Sequence, residues 1–134
     1  MSLPSYALTV ELQRPFAAAL ADLRQALEAE GLQILHALDL QAGPMPEAPP
    51  QQLLGLWAAP LGEAMHAEPQ LGALLPLGAY VVAVAPGHTH VALQDPMLLA
   101  AQTRNSEVRK ACKTLYISLR RVVDRLMLGP PITF

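Results

Sequence analysis

The chain has 134 residues, of which 52% are hydrophobic, and a formal net charge of −2. This length suits a single domain over residues 1–134, and the composition excludes a disordered acidic protein and lacks the positive excess of many nucleic-acid binders. Its single cysteine, Cys112, excludes an internal disulfide. The start of the chain lacks a basic leader, and no window approaches the roughly 20 apolar residues of a membrane span, so we expect a soluble cytoplasmic protein.

The first third of the chain predicts two strands around one helix. Alternation of apolar and polar residues over 5–12 indicates a strand with one face on a core. Apolar residues then recur at helical spacing from Phe16 onward, until Gly31 offers a C-terminal cap. Alternation returns over residues 32–40 and predicts a second strand, with Ile34 and Leu38 on the same side.

The middle of the chain predicts a loop, a strand, a short helix and a longer strand. Four of the thirteen prolines fall in residues 41–52, which predicts an irregular and mobile surface loop. Residues 53–58 suit a short strand, and Pro60 opens a brief helix to about residue 68. Residues 80–85 are apolar on both faces, which implies cover from both sides or a central position in the sheet.

A turn at Pro86–Gly87 follows this apolar strand. A Pro-Gly pair favours a type II turn, whose twist fits a two-residue hairpin poorly, so we expect a longer connection that includes His88. The partner strand then covers about residues 89–94. Asp95 ends that strand and suits the N-cap of a short helical turn, with Pro96 at the first helical position.

The final element is an amphipathic helix over about residues 105–128. Its apolar arc comprises Val108, Ala111, Cys112, Leu115, Leu119, Val122, Val123 and Leu126. Its basic arc comprises Arg109, Lys110, Lys113, Arg120, Arg121 and Arg125. Residues 132–134 follow as an extended tail. The order β-α-β-β-α-β-β-α predicts an α+β domain with a mainly antiparallel sheet and helices on one face.

An ordered set of motifs resembles the Domain of Unknown Function 302 family. These motifs are the strand YALTVEL, the helix PFAAALADLRQALEAEGL, the segment EPQLGALLP at residues 68–76, an apolar strand, and Asp95-Pro96-Met97. The resemblance covers about residues 4–101. It implies a compact α/β sandwich similar to half of the TATA-binding-protein fold and a homodimer, and it implies no established activity.

The chain departs from that family at two positions. Many members have a cysteine after the proline that corresponds to Pro76, and an asparagine before the proline near Pro60. Here Leu77 and Ala59 occupy these positions. Any thiol or metal role tied to such a cysteine therefore cannot apply to this chain.

His88 and His90 come closest to a metal-ligand pattern, because residues two apart on a strand point the same way and imidazole binds zinc, copper and nickel. Two histidines do not complete a site. The missing ligands would have to come from His36, His66, Asp39, Asp95 or Glu68. A metal-dependent protein or enzyme using His88, His90 and Asp95 is therefore the alternative interpretation, and solvated hairpin histidines are the simpler one.

Catalysis has no positive support in the sequence. Arg109 and Lys113 would lower the pKa of the Cys112 thiol, but its position on the apolar arc predicts a buried, inert side chain. Nucleophile-elbow, phosphate-loop and dinucleotide motifs are missing. We therefore assign no catalytic residue, no metal and no cofactor.

The basic arc raises the question of nucleic-acid binding. Residues 1–103 carry two arginines against nine acids, and residues 104–134 carry seven bases against two acids, so the charges sum to −7 and +5. The last helix has one aromatic residue, Tyr116, which makes nucleic acid an unlikely partner and a solvated, charge-balancing face the simpler interpretation. Ile117 projects into this arc, and with the apolar strand it favours a homodimer.

Our leading hypothesis is a non-catalytic homodimeric module that binds a small apolar ligand or a protein partner. Methionine and tryptophan often line ligand sites, although they are more often simply core. The candidate ligand-binding residues are Met45, Trp57, Met65, Pro76, Leu77 and Met97. This interpretation places the loop at residues 41–52 and the turn at residues 76–78 beside the site.

Overall fold

The computed structural model describes residues 6–129 and contains one five-stranded antiparallel sheet. The strands are β1 (Ala7–Leu12), β2 (Gln33–Asp39), β3 (Gln51–Trp57), β4 (Leu77–Ala85) and β5 (His88–Gln94). The helices are α1 (Phe16–Ala29), α2 (Ala59–Ala67), a 3₁₀ helix (Pro69–Leu74), α3 (Met97–Ala101) and α4 (Ser106–Leu128). The sheet order is β1-β5-β4-β3-β2. The predicted α+β fold and its long C-terminal helix are confirmed.

One face of the sheet forms the core with α1, α2 and α4. The strands alternate as the sequence indicates, and the helix-facing positions of β3, β4 and β5 include Leu54, Leu56, Val81, Val91 and Leu93, which are all at most 2% exposed. The apolar strand β4 lies at the centre of the sheet, as predicted. Within residues 6–129, no helix packs across its other face, which only Leu98 of α3 borders.

The long helix α4 is built as its sequence pattern predicts. Asn105 caps its start, because the Asn105 side chain accepts hydrogen bonds from the backbone nitrogens of Glu107 and Val108. The buried residues of α4 are Val108, Ala111, Cys112, Leu115, Leu119, Val122, Val123 and Leu126. These are the residues of the predicted apolar arc. The predicted tail at residues 132–134 lies outside the described residues.

Arg14 connects the end of β1 to two helices. Its Nη1 donates to Asp22 Oδ2 of α1 at 2.9 Å, and its Nη2 donates to the carbonyl oxygen of Leu126 in α4 at 2.7 Å. The Arg14 carbonyl oxygen also accepts a hydrogen bond from Thr89 Oγ1 at 2.9 Å. This one residue therefore fixes β1, β5, α1 and α4 relative to one another.

The hairpin between β4 and β5 differs from the prediction. Pro86–Gly87 forms a two-residue connection, and His88 is already the first residue of β5. Gly87 has a φ of 72°, which the second central residue of a type II turn requires. The register shifts by one residue between Ala83 and Ala85, so a β-bulge compensates for the unfavourable twist of the turn.

A second bulge changes the orientation of β2. The register shifts between Ile34 and His36, which leaves one extra residue at Leu35. Ile34 pairs with Leu56 and packs against the core, whereas Leu38 pairs with Leu53 on the opposite face and is 52% exposed. The expectation that Ile34 and Leu38 share one side is therefore wrong, because the extra residue inverts the alternation.

Within residues 6–129, none of the helices combines the length and the apolar character needed to cross a bilayer.

Candidate functional site

The sheet face turned away from the helices, which we call the open face, carries an apolar row. Leu38, Leu53, Tyr80 and Ala92 lie side by side across β2, β3, β4 and β5. Leu38 is 52% exposed and Leu53 is 39% exposed. A sheet face in contact with water normally carries polar side chains, so this row is a candidate contact surface.

Polar groups fix the side chains that border the apolar row. Tyr80 donates its phenolic hydrogen to Gln51 Oε1 at 2.7 Å, which holds the ring in place. On the other border, the backbone nitrogen of Gly78 donates to Gln94 Oε1 at 2.8 Å. The imidazole of His36 lies over Gly55, where a Cβ atom would overlap the ring. These contacts therefore hold the side chains along both borders of the apolar row in place.

An apolar groove follows the row towards β1 and α3. Its volume is about 390 Å³, and its lining includes Tyr6, Leu53, Tyr80, Ala92 and Leu98. Ligand sites of drug-sized molecules occupy about 300 to 1,000 Å³ and are mainly apolar, so the groove suits a small apolar molecule.

Glu11, His88 and His90 meet at the end of the open face near the hairpin. Glu11 of β1 pairs across the sheet with His90 of β5, and His88 lies two residues earlier on the same face. The Glu11 carboxylate contacts both rings, through His88 Nε2 at 2.8 Å and through His90 Nδ1. The two-residue turn makes this cluster, because it keeps His88 on the strand.

The cluster lowers the pKa of the Glu11 carboxyl below its ordinary value. Burial acts to raise this pKa, but the hydrogen bonds and positive charges of His90 and His88 together outweigh burial. Each imidazole contacts a different oxygen, so the carboxylate occupies the space between the rings. Within residues 6–129, no group of three histidine, cysteine or acidic side chains is arranged to hold a metal ion.

The structure separates Asp95 from the two histidines. Asp95 accepts a hydrogen bond from the backbone nitrogen of Met97, the first residue of α3, at 2.9 Å, although Pro96 and not Asp95 occupies the N-cap position. Asp95 lies five positions after His90 in the chain, which corresponds to roughly 17 Å at about 3.3 Å per residue of extended strand. The alternative set of His88, His90 and Asp95 therefore does not converge, and Glu11 instead of Asp95 lies beside the two histidines.

The other proposed metal ligands have structural partners or different positions. Glu68 accepts a hydrogen bond from Thr103 Oγ1 at 2.6 Å. Asp39 accepts hydrogen bonds from the backbone nitrogens of Gln41 and Ala42, which stabilises the start of the loop after β2. His36 covers Gly55 on the open face.

The six candidate ligand-binding residues do not line the apolar groove of the open face. Leu77 is fully buried and faces the helices, and Trp57 packs against the same core. Met65 lies against Gly72, and Met97 lies beside α4 in a second groove. Met45 is 45% exposed, in the loop before β3.

The loop and the turn expected beside one site lie at opposite ends of the sheet. The loop leads into Gln51, which pairs with Val82, whereas the turn at residues 76–78 leads into the start of β4, where Gly78 pairs with Gly55. Because neighbouring strands are antiparallel, these pairs are four residues apart along β3, roughly 13 Å. The two segments therefore meet β3 at positions roughly 13 Å apart.

Comparison with known proteins defines the family. The profile of the family described as "Domain of unknown function DUF302" matches residues 8–126. The chain belongs to this family. The crystal structure of an uncharacterized conserved DUF302 protein from Bacillus stearothermophilus is similar, with a TM-score of 0.78 and 17% identity over 92% of this chain and 99% of that one. At this identity, the similarity shows the fold alone. No curated protein sequence matches the chain.

The two departures from the family pattern have clear places in this DUF302 domain. Leu77, where many members have a cysteine, is fully buried among the helix-facing residues of β4. Ala59, where many members have an asparagine, is the first residue of α2. The family match extends to residue 126, so it includes most of α4, beyond the residues that carry the resemblance in the sequence.

The basic arc of this DUF302 domain divides into two parts. At its C-terminal end, Arg125 Nε lies 2.7 Å from Glu30 Oε2, and Arg121 Nη1 lies 3.9 Å from Glu30 Oε1. Arg120 Nη2 lies 3.8 Å from Asp124 Oδ1. This part agrees with a charge-balancing face. The N-terminal cations Arg109, Lys110 and Lys113 instead line the groove that also contains Met97.

Cys112 is a buried thiol, as its position in the sequence predicts. It is 1% exposed, and burial raises its pKa, although a hydrogen bond with the backbone of Ala100 acts in the opposite direction. A raised pKa reduces the thiolate population, so the side chain packs as part of the core.

Sequence reasoning missed Glu11 and the apolar row of the open face. Glu11 is one of several acids in the sequence, and its partners are 77 and 79 residues away. Leu38, Leu53 and Tyr80 have the pattern of ordinary strand residues. The alternation of β1 places Glu11 opposite the core, but the pairing of β1 with β5 was needed to find its partners.

Proposed function

We propose that this DUF302 domain is a non-catalytic homodimeric module in which two copies pack their open faces together and enclose a small apolar ligand. The observation that carries the proposal is the apolar row of Leu38, Leu53, Tyr80 and Ala92 on the uncovered side of the sheet. Burial of apolar surface is the main favourable contribution to association, and sheet faces pack well at about 10 Å.

The size of the open face supports a second copy of the chain as its occupant. Five strands about 4.8 Å apart, with six to nine residues rising about 3.3 Å each, form a face on the order of 500 Å² in projection. Its accessible area is larger because side chains roughen it. Specific dimers bury about 600 to 1,000 Å² on each partner, so two open faces supply most of the surface needed.

The arrangement of polar groups supports a two-fold contact. One border of the apolar row carries Gln51, Val82, His90 and Glu11, and the other carries His36, Gly55 and Gly78. In a two-fold dimer each surface meets its own copy, so an apolar row meets an apolar row and polar borders remain at the rim.

The apolar groove supplies the ligand part of the proposal. The groove adjoins the apolar row, and Leu53, Tyr80 and Ala92 contribute to both. When a second copy covers the row, the groove is closed over and its apolar lining is removed from water. The occupant that fits is a small uncharged molecule, since the lining has no charged side chain; its polar side-chain groups are the hydroxyls of Tyr6 and Tyr80 and the amide of Gln94. Tyr80 already donates to Gln51, and Gln94 already accepts from Gly78.

The test of dimerisation is molar mass by light scattering at micromolar concentration. We expect a dimer of about 28.8 kDa, twice the 14.4 kDa chain. Leu53→Asp should give the monomer mass, because it places a carboxylate in the centre of the contact. Leu74→Asp is the matched control, since Leu74 is 52% exposed in the 3₁₀ helix, and it should remain dimeric.

Leu38→Asp is a second variant, which tests dimerisation if Leu53→Asp does not fold. Leu38 is 52% exposed on the edge strand β2, so the monomer tolerates the change, and circular dichroism checks its secondary structure. A monomeric wild type contradicts the proposal, as does a dimer that resists both aspartate variants. Native mass spectrometry of freshly purified protein tests for a bound ligand. A dimer without any added small-molecule mass refutes the enclosed ligand but leaves dimerisation standing.

A further inference from the structure

A second groove lies between α3 and the first two turns of α4. Its volume is about 600 Å³, and its lining is divided by chemistry. Met97, Ala100 and Ala101 of α3 form an apolar side. Arg109, Lys110 and Lys113 of α4, together with Ser106, form a polar side. An apolar floor beside clustered cations is complementary to a molecule with an anionic head and an apolar body.

The cations of this groove differ from those at the other end of the same helix. Arg121 and Arg125 pair with Glu30, and Arg120 pairs with Asp124. The ion pairs seen within residues 6–129 include none of the three groove cations. The chain has eleven acids and a net charge of −2, so unpaired cations clustered at one groove are not explained by a general shortage of acids.

The position of the cluster on α4 strengthens its attraction for anions. The N-terminal end of a helix carries a partial positive charge from its aligned peptide dipoles. Ser106 is the first residue of α4, and the three cations follow within its first eight residues. Glu107 is the acid of the first turn. Glu107 offsets part of the dipole, whose effect falls off within the first turn, so the three side-chain charges supply most of the attraction at this groove.

We propose that the groove between α3 and α4 binds a small anionic amphiphile, whose phosphate or carboxylate head contacts Arg109, Lys110 and Lys113 and whose apolar chain lies on Met97, Ala100 and Ala101. Methionine adapts its shape to an apolar chain at low cost, and Met97 is a half-buried residue of this lining. This site is separate from the apolar row and does not depend on dimerisation.

The test is calorimetric titration with octyl phosphate below its micelle concentration, in low salt. Octyl phosphate should bind saturably, and Lys110→Ser with Lys113→Ser should weaken binding at least tenfold. Arg120→Ser with Arg121→Ser removes the same charge from the other end of α4 and should change binding less than twofold. Equal weakening by both double variants overturns the site, because it shows a general charge effect.

Three further probes test the chemistry of the head and the tail. Octanoate in place of octyl phosphate distinguishes a carboxylate from a phosphate head, and saturable binding of either supports the proposal. Inorganic phosphate should bind at least tenfold more weakly than octyl phosphate, and equal binding overturns a role for the apolar floor. Binding of duplex DNA without binding of either amphiphile also overturns the proposal.

Ala101→Asp is a further variant, which tests the groove if the lysine variants do not fold. Ala101 is exposed on α3, so the substitution leaves the core unchanged, and it places a negative charge in the groove. We expect at least tenfold weaker binding of octyl phosphate. Unchanged binding contradicts the proposed position of the apolar chain on α3. The oligomeric state of each variant should equal that of the wild type, which separates this proposal from dimerisation through the open face.

Discussion

Glu11 shows how a single exposed residue acquires an unusual environment. It alternates with core residues in β1, so its side chain points to the open face, and the pairing of β1 with β5 brings it to His88 and His90. Its carboxylate is thereby held between two bases, which lowers its pKa. The lowered pKa of Glu11 depends on the contacts among these three side chains.

We expect Glu11→Gln to weaken the pH dependence of stability at acid pH. The folded-state pKa of Glu11 lies below its ordinary value of 4.5, so its contribution is present above about pH 4.5 and is lost as the pH falls through the folded value. The pair is exposed, so this contribution is at most about 1 kcal/mol. Urea unfolding between pH 3 and 7 measures it.

Glu63→Gln is the control for Glu11, because Glu63 is an exposed carboxylate on α2. If the free energy of unfolding falls in the same way at acid pH in the wild type and in Glu11→Gln, the histidine contacts do not contribute to stability.

Gly87 contributes to the stability of the fold through its backbone conformation alone. Its φ of 72° lies in the left-handed region, and a Cβ atom there would meet nothing within 4 Å. Gly87→Ala should therefore lower the free energy of unfolding by about 1 to 2 kcal/mol, through conformational strain without a steric clash. Gly43→Ala, at a loop position without positive φ, should change it by less than about 0.5 kcal/mol. Chemical denaturation of both variants tests this difference, and equal effects contradict it.

At the scale of elements, periodicity predicted the parts that pack by local rules. The apolar arc of α4 is buried residue for residue. The errors occur where one extra residue enters a strand. The bulge at Leu35 inverts β2, and the bulge near Val84 permits a two-residue turn. Bulges depend on the partner strand, so alternation in one strand does not reveal them.

Arg14 tests how the elements are fixed to one another. We expect Arg14→Ala to lower the free energy of unfolding by about 1.5 to 3 kcal/mol, since it removes charge-assisted hydrogen bonds to Asp22 and to the carbonyl oxygen of Leu126. Arg14→Lys should restore only part of this loss, because one ammonium does not reproduce the two directed contacts of a guanidinium.

Arg24→Ala is the matched control for Arg14, because Arg24 is exposed on α1. Its effect on urea unfolding should stay within about 0.5 kcal/mol. Equal losses for both arginines would show that the contacts of Arg14 do not fix the helices.

At the scale of the whole molecule, the sheet has helices on one face and an apolar row on the other. If two copies cover this row as proposed, the folded state gains stability from association. We expect the melting temperature to rise when protein concentration increases tenfold, and Leu53→Asp to abolish that rise. A melting temperature independent of concentration in the wild type contradicts association through the open face.

The sequence by itself determined the α+β class, the element order, the family resemblance and the buried arc of α4, because each depends on local periodicity or on an ordered set of motifs. It did not determine which exposed groups come together. Glu11 meets histidines 77 and 79 residues away, and four strands contribute to the apolar row. Only the tertiary structure decided these contacts, because strand register and bulges set which side chains share a face.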